Sequence, residues 1–513
     1  MKPFVRTKLI KGKEYLYEIT PYFDPVQKKW KQKTRYLGKK VNGEIVKTEK
    51  GTDRTRIFNV GQYLPAYWAV KEYQILESLL LVCSPEEAAS IVLLSINRLI
   101  SPCPPNNLKS WLNGTYLSRL IPGSDFEVEE LFLLLKKVSD PGVVDTFYRI
   151  FSLVNELSYQ RVHHVIEIYD RDEKMRKINE WPLSGGVLRN IQSIRIQYDP
   201  EKKIYAGFSL LPLLSPVITD SIHCMLTGRI PEGILVTGWN SLSPWSIEKL
   251  AKSNCSFIFS ADISYPPIEL KMETISKPME DPDNIRYFRN EPCYLIPVHI
   301  PVGNTYIQGY ILHNIRKDQE ARTAFNKNMQ IIRNTIHKKT ENPDSVDELL
   351  NKSQGELKDY YSLKKDNGVS SIKIDPLAIH KMIQKAGSNC VLYRGDCTWE
   401  DCFNYVKIRD DLEFELNRYV DEFERDFREY SIESIREGIL FIIFLTFLIK
   451  DLIVKRLESV QSDEISSFES LITELTHVHV TKSYKPHISP ESLSRDTKNI
   501  LTFFGGIPPI RDE

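Results

Sequence analysis

The chain has 513 residues, 42% of them hydrophobic and 27% charged, with a formal net charge of zero. That length allows about three or four domains with sizeable cores, and the composition is that of an ordinary soluble globular protein. The neutral balance excludes a globally polybasic nucleic-acid binder, so any polyanion contact has to come from a local concentration of charge.

Residues 1–60 supply such a concentration, with roughly ten net positive charges. Lys28, Lys29, Lys31, Lys33, Arg35, Lys39 and Lys40 lie close together, with Trp30 and Tyr36 interleaved. Cations alternating with aromatics suit a polyanion partner, and a plain solvated face is the simpler alternative. Tyr15, Tyr17 and Ile19 alternate, while Asp24-Pro25 and Asn42-Gly43 mark turns. This predicts a β-hairpin or small meander over 13–48.

From Gly61 the hydrophobic period becomes helical, predicting helices near 63–82, 85–100, 106–119, 125–138 and 141–158. Ser84-Pro85-Glu86-Glu87 and Ser124-Asp-Phe-Glu127 carry the N-cap and capping-box signature. A helical module behind a basic hairpin suits DNA binding, and equally a packing domain.

At Val162 the period changes to two. Strands are expected at Val165 to Asp170, Gln192 to Tyr198 and Lys203 to Leu214, the first ending in a carboxylate. A short helix (Asp220 to Leu226), a strand (Ile234 to Thr237), a helix (Pro244 to Lys252) and a strand (Cys255 to Ser260) follow. The order βββαβαβ is that of a ribonuclease H-like fold, an α+β or mixed class, with a generic α+β domain as the alternative.

Between Ile263 and Ala386 lies an insertion, with strands expected at 293–300, 304–313 and 369–374 and a charged helix near 319–338. A strand at Asn389 to Tyr393 then leads to Thr398-Trp-Glu-Asp401, which caps the way into a helix. Tyr405 to Ile449 reads as a long amphipathic helix ending in a wholly apolar one. Leu412, Leu416, Tyr419, Phe423 and Phe427 mark its buried face. Glu413 sits at the edge of that face with Arg409 one turn earlier, which on its own reads as a surface ion pair.

The expected organisation is a basic hairpin (1–60), a helical DNA-binding domain (61–160), the first part of the core (161–262), a β-rich insertion (263–386), the rest of the core (387–458) and a tail (459–513). The apolar run from Gly438 to Ile449 is too short to span a bilayer, so no membrane role follows. Eight cysteines without CxxC spacing read as reduced thiols of a cytoplasmic protein with no zinc site. The N-terminus lacks the apolar run of a secretion signal.

Several short motifs occur together in one order. They are Tyr17-Glu-Ile-Thr-Pro-Tyr22 with Arg35-Tyr-Leu-Gly38, Trp111-Leu-Asn-Gly-Thr115, Ile168-Tyr-Asp170, Glu180-Trp181 and Thr219-Asp220. Ala386 to Leu392, Arg409-Asp-Asp-Leu-Glu413 and Ser434-Ile-Arg436 complete the series. On these the chain resembles DDE-type transposases of insertion sequences, in the IS-four-like superfamily, whose core carries a β-rich insertion.

The resemblance implies three carboxylates gripping two Mg²⁺ (or Mn²⁺) ions for in-line displacement at phosphorus. It also implies a double-stranded DNA partner, the terminal inverted repeats of the element, and a homodimer acting on paired ends. Carried over by position, Asp170 is the first acid, Glu413 the third, and Arg409 the basic residue that accompanies it. The second acid is replaced, because Val236-Thr-Gly-Trp puts Gly238 where the resemblance expects Asp. Asp262 and Asp172 are the candidates to supply a substitute. The expected function is therefore DNA-end binding with an impaired strand-cleaving site. A domesticated DNA-binding or scaffold protein without nuclease activity is the alternative.

Overall fold

The computed structural model describes residues 4–10, 13–24, 29–41, 44–46, 57–123, 126–158, 161–169, 191–211, 233–238, 244–252, 255–274, 281–339, 361–366, 369–427, 435–459, 467–481 and 494–506. It is a mixed α+β molecule built around a large mixed sheet.

The basic N-terminal segment forms a four-stranded antiparallel meander, β1 (Phe4–Ile10), β2 (Lys13–Asp24), β3 (Lys29–Val41) and β4 (Glu44–Val46), paired in sequence order. The sequence reading captured β2 and β3 and overlooked β1, whose Phe4–Ile10 register runs against Ile19–Lys13. A short strand β5 (Ile57–Asn59) follows.

Seven helices come next: α1 (Leu64–Glu72), α2 (Ile75–Leu80), α3 (Pro85–Ile100), α4 (Pro105–Gly114), α5 (Leu117–Leu120), α6 (Val128–Lys137) and α7 (Pro141–Val154). Ser84 closes a complete capping box with Glu87, so α3 begins where its sequence says. Three expected helices are cut shorter. The 63–82 segment breaks at Gln74, which adopts a left-handed φ of 51°. The 106–119 segment breaks at Thr115, which is extended and bridges to Asn59. The 141–158 helix stops at Val154, two residues before Glu156 turns left-handed at φ 50°. Ser124 lies outside the described residues, and α6 starts only at Val128. Glu127 makes no cap bond there and pairs with Lys109 at 2.5 Å instead.

The large sheet has nine strands in the order β11-β12-β13-β16-β10-β9-β6-β7-β8. Its founding part comprises β6 (Arg161–Tyr169), β7 (Ile191–Asp199), β8 (Ile204–Leu210), β9 (Gly233–Gly238) and β10 (Ser256–Ala261). The first three form an antiparallel meander, and β6, β9 and β10 run parallel to one another. Their C-terminal ends therefore share one edge. Helix α8 (Pro244–Lys252) connects β9 to β10 as the sequence predicts.

Beyond β10, helix α9 (Pro266–Thr274) had no counterpart in the sequence reading, because Pro266-Pro267 also serves as a helix start. Strands β11 (Ile285–Phe288), β12 (Glu291–Val302) and β13 (Thr305–Asn314) form antiparallel hairpins. Helix α10 (Ile315–Lys339), the hairpin β14 (Tyr361–Asp366) and β15 (Val369–Ile374), and helix α11 (Pro376–Gly387) follow. Asp375 caps α11 at two backbone N–H groups. Strand β16 (Ser388–Arg394) then inserts antiparallel between β13 and β10, so the inserted strands extend the same sheet.

The Tyr405-to-Ile449 stretch falls on two helices, α12 (Trp399–Asp426) and α13 (Arg436–Glu458). Thr398 and Asp401 form the capping box of α12. Its Leu412, Leu416, Tyr419 and Phe423 are buried as the spacing predicts. Helix α13 is buried from Gly438 to Ile449 and packs against α1, α3, α6, α12 and β8. Among the described residues no helix is long and apolar enough to cross a membrane. Helix α14 (Phe468–Leu475), strand β17 (His479–Thr481) and helix α15 (Arg495–Phe503) end the fold, β17 pairing with β5. Two apolar clusters cover the sheet. The larger includes α3, α12 and α13, and the smaller includes Ile247 and Leu250 of α8 and Ile268 of α9.

Candidate functional site

The C-terminal edge of the parallel strands is where a site could form, because α12 crosses β6 and β9 there. The paired register of β6 and β9 runs from Arg161↔Gly233 to His164↔Val236. Past that pair, side chains of α12 take up the backbone of β6. Arg409 Nε donates to the Val165 carbonyl at 3.1 Å. The Glu167 N–H donates to Glu413 Oε2 at 3.4 Å, and Asn417 Nδ2 donates to the Glu167 carbonyl at 2.8 Å.

Arg409, Glu413 and Asn417 stand four residues apart, so one helical stripe meets one strand. Within that stripe Arg409 Nη2 donates to Glu413 Oε2, and Asn417 Nδ2 also donates to the Glu413 carbonyl at 2.8 Å. Arg409 Nη1 donates to Asp410 at 2.7 Å. Of the three bonds that Arg409 makes, two go to carboxylates on α12 and the third reaches the strand.

Arg409 is 7% exposed, so its guanidinium is an interior cation. Burial pushes the Glu413 carboxyl above the usual range; Arg409 opposes the shift and Glu167 adds to it. The short Arg409–Glu413 contact alone would suggest a lowered value, but desolvation outweighs a single partner at this depth. The Asp410 carboxyl is raised as well, by desolvation that Arg409 opposes, although its side chain is half exposed.

Gly238 is the last residue of β9 and is buried. A Cβ placed on it would lie 2.8–2.9 Å from Nη2, Cζ and Nη1 of Arg409. The guanidinium thus fills the volume into which a side chain at 238 would grow. A glycine at this point allows the closest approach of a helix side chain to a strand end.

Glu413, Arg409 and Gly238 are brought together. Asp170 and Asp172 lie outside the described residues, as do Glu180-Trp181, Thr219-Asp220 and Lys28. Asp262 follows β10, and its carboxylate accepts from the Ser264 N–H at 2.7 Å, capping the turn into α9. Lys29, Lys31, Lys33, Arg35, Lys39 and Lys40 sit on β3, opposite Asp24 to Glu14 of β2. Asn417 and Glu167 were missed. The four-residue repeat Arg409, Glu413, Asn417 was the available signal for the first.

His163 and His164 are both fully buried on β6, and neither ring finds a hydrogen-bond partner among the described residues. Burial drives His164 down to about 3, with Arg409 contributing, and His163 down to about 4, with Arg195 and Arg161 contributing. The rings of Tyr198 and Tyr405 flank His164 at 5.9 and 6.4 Å. A neutral imidazole is therefore packed beside the interior guanidinium.

Among the described residues no group of three or more His, Cys, Asp and Glu is placed to hold a metal ion. The Arg409 guanidinium fills the space beyond Gly238 at this edge, so a fixed positive charge stands there. No protein-family model and no curated protein matches the chain.

Proposed function

We propose that the chain is a transposase-derived DNA-binding protein with a ribonuclease H-like core, which holds the ends of an insertion sequence and does not cut them. The supporting observation is the strand order β8-β7-β6-β9-β10 with β6, β9 and β10 parallel, crossed at its carboxyl edge by a helix carrying Glu413. That is the 3-2-1-4-5 arrangement expected of such a core. Gly238 stands where the resemblance expects the second acid, and Glu413 is engaged by Arg409 and by the backbone of β6.

On this reading the basic meander β1–β4 and the helical segment α1–α7 face DNA. A homodimer would bring two element ends together. Phosphate contact supplies affinity in such an interface and makes it steeply salt-dependent.

The test is a gel-shift and nicking assay on duplexes carrying terminal inverted repeats, with Mg²⁺ or Mn²⁺ present. Binding that weakens with salt and prefers the repeats, with no metal-dependent nicking, is the expected result. Nicking abolished by Asp170→Ala would sink the claim of an impaired site, and failure to bind any duplex would sink the DNA reading.

A further inference from the structure

We infer that Gly238 and Arg409 act as one paired device, in which the guanidinium is the permanent cation of the strand edge and excludes divalent metal. The inference rests on the reading of that edge as a transposase-type site, but its test does not depend on DNA.

Three observations carry it. First, the volume beyond Gly238 is filled by Arg409, whose Nη1, Nη2 and Cζ would all lie within 2.9 Å of an added Cβ. Secondly, the guanidinium is held from several sides, by the Val165 carbonyl, Asp410 and Glu413. It is therefore fixed in place and not a surface arm swung inward. Thirdly, Glu413 spends Oε2 on Arg409 and on the Glu167 N–H, so a carboxylate that would ligate a metal instead closes the helix onto the strand.

Physically, the arrangement substitutes one charge for another. Two close carboxylates at a buried edge repel unless a cation sits between them. A metal supplies that cation from solution, whereas Arg409 supplies it from the chain and with fixed geometry. With glycine at 238, one carboxylate fewer faces the edge, so a single positive charge suffices. A metal entering there would meet a fixed like charge at ion-pair range, which weakens its binding by orders of magnitude.

The consequence is specific: restoring an acid at 238 does not restore a metal site. In Gly238→Asp the guanidinium has to shift to admit the new Cβ, and the new carboxylate forms a second ion pair with it. Metal affinity returns only when the guanidinium is also removed, as in Gly238→Asp with Arg409→Gln.

The experiment titrates Mn²⁺ into the full-length wild type, Gly238→Asp, Arg409→Gln and the double variant, following the free-ion electron paramagnetic resonance signal. Circular dichroism checks that each is folded. The expected result is no retained Mn²⁺ in the wild type or in Gly238→Asp, and binding at least about 100-fold tighter in the double variant. Tight Mn²⁺ binding by the wild type that Glu413→Gln abolishes would overturn the inference without any change at 238 or 409. Equal Mn²⁺ affinity in Gly238→Asp and the double variant would overturn it too. If the double variant does not fold, the wild type and Gly238→Asp still decide, because retention of Mn²⁺ by either contradicts the proposal and its absence in both supports it. Loss of DNA binding with this metal pattern intact would count against the DNA reading alone.

Discussion

Arg98 of α3 pairs with Asp426, the last residue of α12, at 2.7 Å across an interface that is almost dry on the arginine side. The guanidinium also lies over the Phe423 ring at 5.2 Å and donates to Asn97 and to the Cys103 carbonyl. One interior ion pair thus fixes the helical segment to the helix that carries Glu413. Burial depresses the Arg98 guanidinium, and Asp426 opposes that shift.

Removing one partner of such a pair strands the other. Asp426→Ala should cost about 3–5 kcal/mol of unfolding free energy. Arg98→Met, which keeps the stem packed on Phe423, should cost less than Asp426→Ala. Urea denaturation of both variants checks the order, and a cost below about 1 kcal/mol for Asp426→Ala would show the pair to be solvated.

Gly438 opens the apolar helix α13 where it meets α6. Its N–H donates to Ser139 Oγ at 2.9 Å, and an added Cβ would enter the van der Waals shell of the Leu135 carbonyl, 2.9 Å from its carbon. The neighbour is backbone and has little room to yield. Gly438→Ala should therefore destabilise by about 2 kcal/mol or more, and Gly438→Val by more again. Calorimetric melting of Gly438→Ala is the measurement, and an unchanged Tm would refute the close approach.

His163 and His164 set an acid limit on stability. Both folded values lie below the unfolded value near 6.5, so between them the unfolded chain binds more protons. Their contribution is complete above about pH 6.5 and is lost as pH falls toward about 4 and 3, amounting to about 2 kcal/mol per histidine near pH 5. Asp410, Glu413 and Asp451, whose carboxyls burial raises, slope the other way. The readout is therefore a difference: His164→Leu should flatten the loss of stability from about pH 6.5 to 5 relative to wild type. Parallel profiles would mean that the imidazole is solvated.

On the proposed DNA-binding reading, the basic meander gives a further prediction. Replacing Lys31, Lys33 and Lys39 together by Gln should weaken duplex binding about equally for all sequences. It should also reduce the slope of log K against log salt by about one per lost phosphate contact. Fluorescence anisotropy at several salt concentrations measures both. An unchanged slope would place the DNA contact elsewhere.

Much of the element order was legible because it is written in local periodicity. Ser84 and Thr398 announce their helices by capping chemistry alone, and α8 and β16 follow from short amphipathic and apolar runs. Helices α9 and α11 were not read, since Pro266-Pro267 and Asp375-Pro376 look like turns until the following backbone is seen to coil. The single 63–82 helix failed at Gln74, where a left-handed residue that no pattern demands lets α2 turn back on α3.

The sequence by itself determined which residue types stand at the site: a glycine closing β9, and Arg409, Glu413 and Asn417 repeating every four residues on one helix. Their periodicity follows from helix geometry, which is local. What the tertiary structure decided is what those residues do. The space beyond Gly238 is occupied only because α12, more than 160 positions later in the chain, lays Arg409 across the end of the strand. No local pattern records which side chain fills a glycine's missing volume, because that depends on how far apart a helix and a strand come to rest.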